Sequence, residues 1–353
     1  MFDTINYPVN LLIYKKVHPL NMRPWLDGLL KSERKKALPI LSFPSVNLMG
    51  ITVRELISDS SLQAKGMKMI ADRVDSAASV SMMDLSLEAE TFGAEIKISD
   101  NEVPTVTGSI VKNLQDAQGL AIPKVGAGRT GRYIEAIGKA CGLITDRPVF
   151  SGVIGPFSLA GRLMDVSEIM VSCLVEPETV HITMEKTAAF LIEYIKAYKE
   201  AGANGVIMAE PLTGMLSPGL AAEFSTPYVK RIAESVKGDN FAFFYHNCGN
   251  NTPLMAESLL TIGADGYHFG NSVKMKDMLE KFPPDVILMG NIDPAGLFRN
   301  GTPESIKAAT KGLMGECCPG HRNFVISSGC DIPPASGFEN IDAFFEAVKE
   351  FYD

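Results

Sequence analysis

The chain has 353 residues, of which 46% are hydrophobic and 21% charged, and its formal net charge is −8. That balance describes a globular chain with ample core, and its scattered Lys and Arg exclude a nucleic-acid footprint. No apolar run approaches the ~18 residues of a membrane span. The opening residues also lack the basic–apolar–small layout of a secretory signal, and the six cysteines read as free thiols of a reducing cytoplasm.

Residues 1–36 read as an N-terminal extension. Within it, Pro24-Trp25 opens a short amphipathic stretch, and 31–36 is a basic run expected on a solvated helix face. Short apolar runs follow at 38–43, 79–85, 149–154, 205–209, 241–245, 266–269, 286–289 and 324–327. Between them lie amphipathic helical patterns such as 180–202 and 225–236, and Thr252-Pro253 and Thr302-Pro303 each place a capping hydroxyl before a proline. Strands alternating with helices imply parallel βαβ units. Eight such strands predict a (β/α)8 TIM barrel spanning 37–353 as one domain; a doubly wound open sheet is the alternative. Residues 94–99 and 103–108 flank Asp100-Asn101 and predict a hairpin, an insertion after the second strand that could form part of a lid.

In such a barrel the chemistry lies at the C-terminal ends of the strands. Those ends carry Asp84, Glu210, His246 and Cys248, His268, Asn291 and Asp293, and Cys330. His246 and Cys248 follow the run FAFFY two positions apart, and alternate residues of an extended chain share a face. Cys330 follows the run NFVISS in the same way. Two thiolates and one imidazole are a ligand set that zinc adopts when it keeps a position open. Asp84 reads as an acid, a base or a cap, Asp293 as an N-cap before Pro294, and His268 as a satisfied core histidine. A second group, Cys317, Cys318 and His321, lies in the turn entering the last strand and belongs to the opposite, stabilising face. Cys141 and Cys173 read as packed thiols. The glycine-rich stretch Gly126-Ala127-Gly128-Arg129 follows no strand, which argues against phosphate binding.

Several stretches carry a more specific likeness: YHNCGN, GADGYHFG, GNIDP with GTPE after it, and SSGCDIPPASGFENI. From about residue 37 the chain resembles the uroporphyrinogen decarboxylase superfamily, and within it the zinc-dependent corrinoid methyltransferases of the methylcobamide:coenzyme M type. The resemblance implies that His246, Cys248 and Cys330 hold zinc and that Asp84 occupies the acidic position of the second strand. It also implies transfer of a methyl group between a corrinoid and a small acceptor or donor, such as a thiol, tetrahydrofolate or a methoxy compound, with acid–base help from Asp84 or Glu210. The chain contains no Asp-x-His-x-x-Gly stretch, so a separate corrinoid protein is the implied partner. Gly270-Asn271 stands where coenzyme M enzymes tend to carry an acidic residue, which leaves the acceptor open. A uroporphyrinogen decarboxylase-type lyase is the alternative. Decarboxylases carry an arginine-rich segment near the N-terminus, however, and PILSFPSVNLMG at 39–50 has no arginine. A third reading is a non-catalytic tetrapyrrole-binding protein with a structural zinc.

Overall fold

The computed structural model describes residues 20–353. Residues 1–19 of the expected extension lie outside the described residues. The strands are β1 (Ser79–Val80), β2 (Glu95–Lys97), β3 (Thr105–Thr107), β4 (Val149–Ile154), β5 (Gly205–Ala209), β6 (Ala242–Asn247), β7 (Gly266–Phe269), β8 (Ile287–Ile292) and β9 (Phe324–Ser328). Seven of them form one parallel sheet in the order β1-β4-β5-β6-β7-β8-β9, and β2 pairs with β3 antiparallel.

Alternation along the strands divides the core in two. Phe150, Ile207, Phe244, Met289 and Val325 point to one face and pack with Met22, Leu26 and Leu29. Val206, Phe243, Tyr245, Leu288 and Ile326 point to the other and pack with helix residues such as Leu191, Ile232 and Phe344. A sheet covered on both faces is the environment parallel strands require. The inner cluster is closed at the strands' N-terminal end by helix Arg23–Lys31. Trp25 donates its indole N–H to the Ala77 carbonyl at 3.1 Å, and its ring lies 5.4 Å from Phe150 and 6.2 Å from Phe244.

The architecture is α/β with a curled, barrel-like parallel sheet. Its two edges meet through the segment around Leu38. The Leu38 amide donates to the Ile326 carbonyl of β9 (3.0 Å), and the Ala77 amide donates to the Ala37 carbonyl (2.8 Å). The expected strand at 38–43 is not one. Pro39 has no N–H to give to a ladder, and the Ile40 amide donates to the Ser328 hydroxyl at 3.1 Å instead of a backbone carbonyl. The expected strand at 79–85 shortens to Ser79–Val80 for a related reason. The Gly152 amide donates to the Ser81 hydroxyl at 2.9 Å, and the Met83 amide to the Asp331 carboxylate at 2.8 Å. Side-chain oxygens replace the ladder where the sheet opens into the site.

Three strands have the expected bounds, at 149–154, 205–209 and 266–269. Thr302 caps helix Pro303–Cys317 in a reciprocal box with Ser305. Thr252 does not cap; its hydroxyl lies between the Asn247 side-chain oxygen (2.8 Å) and the Gly249 carbonyl (2.6 Å), sharing its one hydrogen with them and tying the loop after β6. The basic run is not a helix face either. The helix ends at Lys31, and the residues beyond it pair outward, Lys36 with Asp75 at 2.6 Å and Arg34 with Asp353 at 3.3 Å. The hairpin is present, and its turn is anchored by Arg54 to Asp100 (2.6 Å) and by Arg299 to Glu102 (2.9 Å). Among the described residues no helix is long and apolar enough to cross a membrane.

Candidate metal centre and active site

Inward parity in β6 runs Ala242, Phe244, His246, so the side chain that follows the last inward aromatic is an imidazole at the C-terminal end. Cys248 lies one step past the strand. Its backbone packs against Gly270, where a Cβ would sit 2.3 Å from the Cys248 Cβ, so glycine is required there. Cys330 arrives from β9. The Gly329 amide continues the ladder onto the Ile292 carbonyl (2.6 Å), and the Ile332 amide donates to the Ile40 carbonyl (3.0 Å). Two strands, β7 and β8, separate β6 from β9 in the sheet. Three strand spacings in a flat sheet would hold them about 14 Å apart. Curling of the sheet nonetheless brings the Cys330 thiol to Cys248, with which it shares a hydrogen bond, and near enough to the His246 ring to feel it electrostatically.

Electrostatics at this point follow from the shared contact. The hydrogen bond from Cys330 draws Cys248 below the usual thiol range, and the same bond, with burial, pushes Cys330 up to about 12. Both cysteines are free thiols. The His246 Nε2 atom is buried and has no hydrogen-bond partner. Such an orphan suits a metal ligand, and the donor types are those of a zinc site with an open position. As they stand, no three or more His, Cys, Asp or Glu side chains among the described residues are arranged to hold an ion. Donor identity and convergence therefore fit zinc, while the spacing is that of a hydrogen-bonded thiol pair.

His268 of β7 lies beside His246, with ring centroids 4.7 Å apart. Its Nδ1 is 2.8 Å from His246 Nδ1, and its Nε2 reaches the Ser328 carbonyl (2.7 Å) and the Ser327 hydroxyl (2.9 Å). Burial holds it well below the usual histidine range. The expectation of a satisfied core histidine holds for its hydrogen bonds, but one of its partners is a candidate ligand.

Asp84 is 4% exposed and fully engaged. One oxygen accepts from the Ser86 amide (3.1 Å) and hydroxyl (2.6 Å), the other from Arg129 and from the Tyr133 hydroxyl (2.9 Å). Arg129 also pairs with Glu90 at 2.6 Å. Neighbouring Glu88 accepts from the Ile154 amide (3.1 Å), and its other oxygen is buried without a partner. Burial pushes Glu88 up to about 8. Arg129 and Tyr133 carry no local signal as partners of Asp84, because they lie 45 and 49 residues further along the chain.

Glu210 lies beneath the mouth with no exposed surface. It accepts from the Phe157 amide (2.6 Å), the Ser158 amide (3.1 Å) and hydroxyl (2.8 Å), and Thr213 (3.0 Å). These donors place a carboxylate at the positive N-terminal end of helix Pro156–Met164, while burial pushes it up to about 7. Asp293 caps Pro294–Arg299 as expected, accepting from the Ala295 and Gly296 amides. Asn291 ties β8 to the loop after β7 through the Gly270 and Val273 carbonyls (2.7 and 2.6 Å). Cys317 and Cys318 lie where the chain enters β9, at the opposite end from Cys330. Cys141 and Cys173 are buried, and burial pushes both up to about 12.

A match to the uroporphyrinogen decarboxylase (URO-D) family runs over residues 44–351. The chain belongs to this family. Similarity within it extends to more than one activity. The methylcobamide:CoM methyltransferase MtbA of Methanosarcina acetivorans is 27% identical over 276 residues, 76% of this chain and 78% of that one. A uroporphyrinogen decarboxylase of Coxiella burnetii is 26% identical over 287 residues, 78% and 77% of the two chains. Among solved structures, a methyltransferase from Methanosarcina mazei superposes with a TM-score of 0.82 at 25% identity, covering 95% of this URO-D chain and 100% of its own.

Proposed function

We propose that the protein is a zinc-dependent methyltransferase, with His246, Cys248 and Cys330 as the zinc ligands. It moves a methyl group between a corrinoid carried by a separate protein and a small acceptor or donor, such as a thiol, tetrahydrofolate or a methoxy compound. The observation that carries this reading is the meeting of Cys330 with Cys248 and His246, beside the unpartnered His246 Nε2. The similarity to methyltransferases over three quarters of the chain supports it. In the same reading, 37–353 is one (β/α)8 barrel whose mouth is the site, and the enzyme works in the cytoplasm.

Held by His246, Cys248 and Cys330, a zinc ion would supply Lewis acidity that lowers the pKa of a thiol, and two thiolate ligands would leave that thiol electron-rich. The chain's own residues place and enclose that chemistry. Loop 329–332, pinned to β8 and to Ile40, carries Cys330 across the mouth. Asp84, paired with Arg129, is the polar or acid–base group of the site. Glu210 holds the start of helix Pro156–Met164 against the loop that follows β5.

Free methylcobalamin offered with a panel of thiols and tetrahydrofolate tests the proposal. The cobalt-centred absorbance change should appear with at least one acceptor, and vanish in Cys248→Ser and on chelation. Decarboxylation of uroporphyrinogen that survives chelation, without demethylation by any acceptor, would replace this reading with the lyase.

A further inference from the structure

Four hydrogen-bonded groups lead from the seam of the sheet to the candidate ligand, and their proton count has one solution. Ser327 donates its only hydroxyl proton to the Leu38 carbonyl at 2.7 Å, so toward His268 it can only accept. The Ser328 carbonyl, 2.7 Å from the same ring nitrogen, accepts only. His268 Nε2 therefore carries a hydrogen. A neutral imidazole has a single N–H. Its Nδ1 is then a bare lone pair facing His246 Nδ1 at 2.8 Å. The hydrogen in that contact belongs to His246. A second acceptor demands the same answer, since the His268 carbonyl lies 3.2 Å from His246 Nδ1 and has no hydrogen to offer.

We infer that His268 is a positioning residue that locks His246 in the Nδ1–H tautomer and aims its bare Nε2 at the thiol pair. The outward-facing nitrogen is the one atom of the network left without a partner. Metal-ligating histidines generally donate their other N–H to a carboxylate, a carbonyl or water; here a second imidazole and its own carbonyl take that place. The relay also ties the ligand to the seam, because Ser327 is held by Leu38, the residue that joins β9 to the other edge of the sheet. The tautomer follows from the hydrogen bonds alone; its effect on metal affinity rests on the zinc reading.

The two parts are separated by using metal-free and zinc-titrated protein. Nitrogen-15 NMR of the histidine-labelled, metal-free chain, which has only five histidines, should show His246 protonated at Nδ1 and bare at Nε2. Two substitutions then divide the roles of His268. His268→Asn keeps an acceptor near the Nδ1 position but loses the reach to Ser328; His268→Gln keeps the donor toward Ser328 but not the acceptor. Relay action predicts that Asn binds zinc within a few-fold of wild type and Gln about 10–100-fold more weakly, with thermal midpoints recorded alongside. A merely structural role predicts the reverse order, since Gln is nearer in size and keeps the anchor. His246 protonated at Nε2 in the metal-free protein, or wild-type zinc affinity in His268→Gln, would overturn the inference. A wild-type chain with the expected tautomer that takes up no zinc would uphold the tautomer and overturn the metal reading.

Discussion

Two Cys–Cys–His groups lie at opposite ends of one sheet and share almost nothing but composition. At the mouth, His246 and Cys248 are alternate residues of an extended segment, so their side chains share a face, and Cys330 meets them from β9. At the base, Cys317 and Cys318 are adjacent at the end of helix Pro303–Cys317, where neighbouring side chains diverge by about 100°. Cys317 is fully buried in the outer apolar cluster, and Cys318 hydrogen-bonds with Tyr352. The mouth also keeps polar atoms that the fold leaves unmatched: His246 Nε2, Glu88 Oε2 and Asp331 Oδ1 are buried without partners. Unmatched groups cost stability, and they are tolerated where function uses them. Donor count therefore says little; spacing on the local backbone and the convergence of Cys330 on it mark the working end.

The strongest way to break the comparison is to remove one thiol from each end. Cys330→Ser should lose most bound zinc by elemental analysis, whereas Cys318→Ser should keep the wild-type content. Equal losses would make the two groups equivalent. A smaller effect probes the buried acid at the mouth. Glu88 is raised from 4.5 to about 8 by burial. Its folded value lies above its unfolded one, so its contribution is fully present below about pH 4.5 and is lost as pH rises toward 8. Glu88→Gln, which mimics the protonated acid, should match wild type at pH 4.5 and gain roughly 2–4 kcal/mol on it at pH 8. Denaturant titration at both values checks this, and a gap that does not change with pH would sink the assignment. The smallest effect belongs to the base. Cys317→Ser places a hydroxyl in an apolar cluster and should cost about 1–2 kcal/mol of unfolding free energy, with zinc content unchanged. A loss of zinc without destabilisation would contradict the packed role of this thiol.

Much of the scaffold was legible in the amino-acid order. Apolar runs gave the bounds of β4, β5 and β7, because a strand buried on both faces is an uninterrupted apolar segment bounded by polar turns. Thr302-Pro303 announced its helix through a local capping geometry. Thr252-Pro253 has the same pattern and was misread, because Asn247, five residues earlier, competes for the hydroxyl. The failure at 38–43 has a local cause in Pro39 and a distant one in Ser328, and only the first is visible in the segment itself.

By itself the sequence determined what alternation and local spacing can encode: the strands, the shared face of His246 and Cys248, and the position of Cys330 just past the last strand. Tertiary structure alone decided which groups those residues meet. Arg129 and Tyr133 engage Asp84 from 45 and 49 residues away, and Glu210 receives amides from the start of a helix 53 residues earlier. His268 turns toward His246 because β7 lies beside β6 in register, so that equivalent positions of the two strands become neighbours. In a parallel sheet every such pairing crosses a whole helical connection. Its partners are set by how the sheet curls, and no spacing along the chain records them.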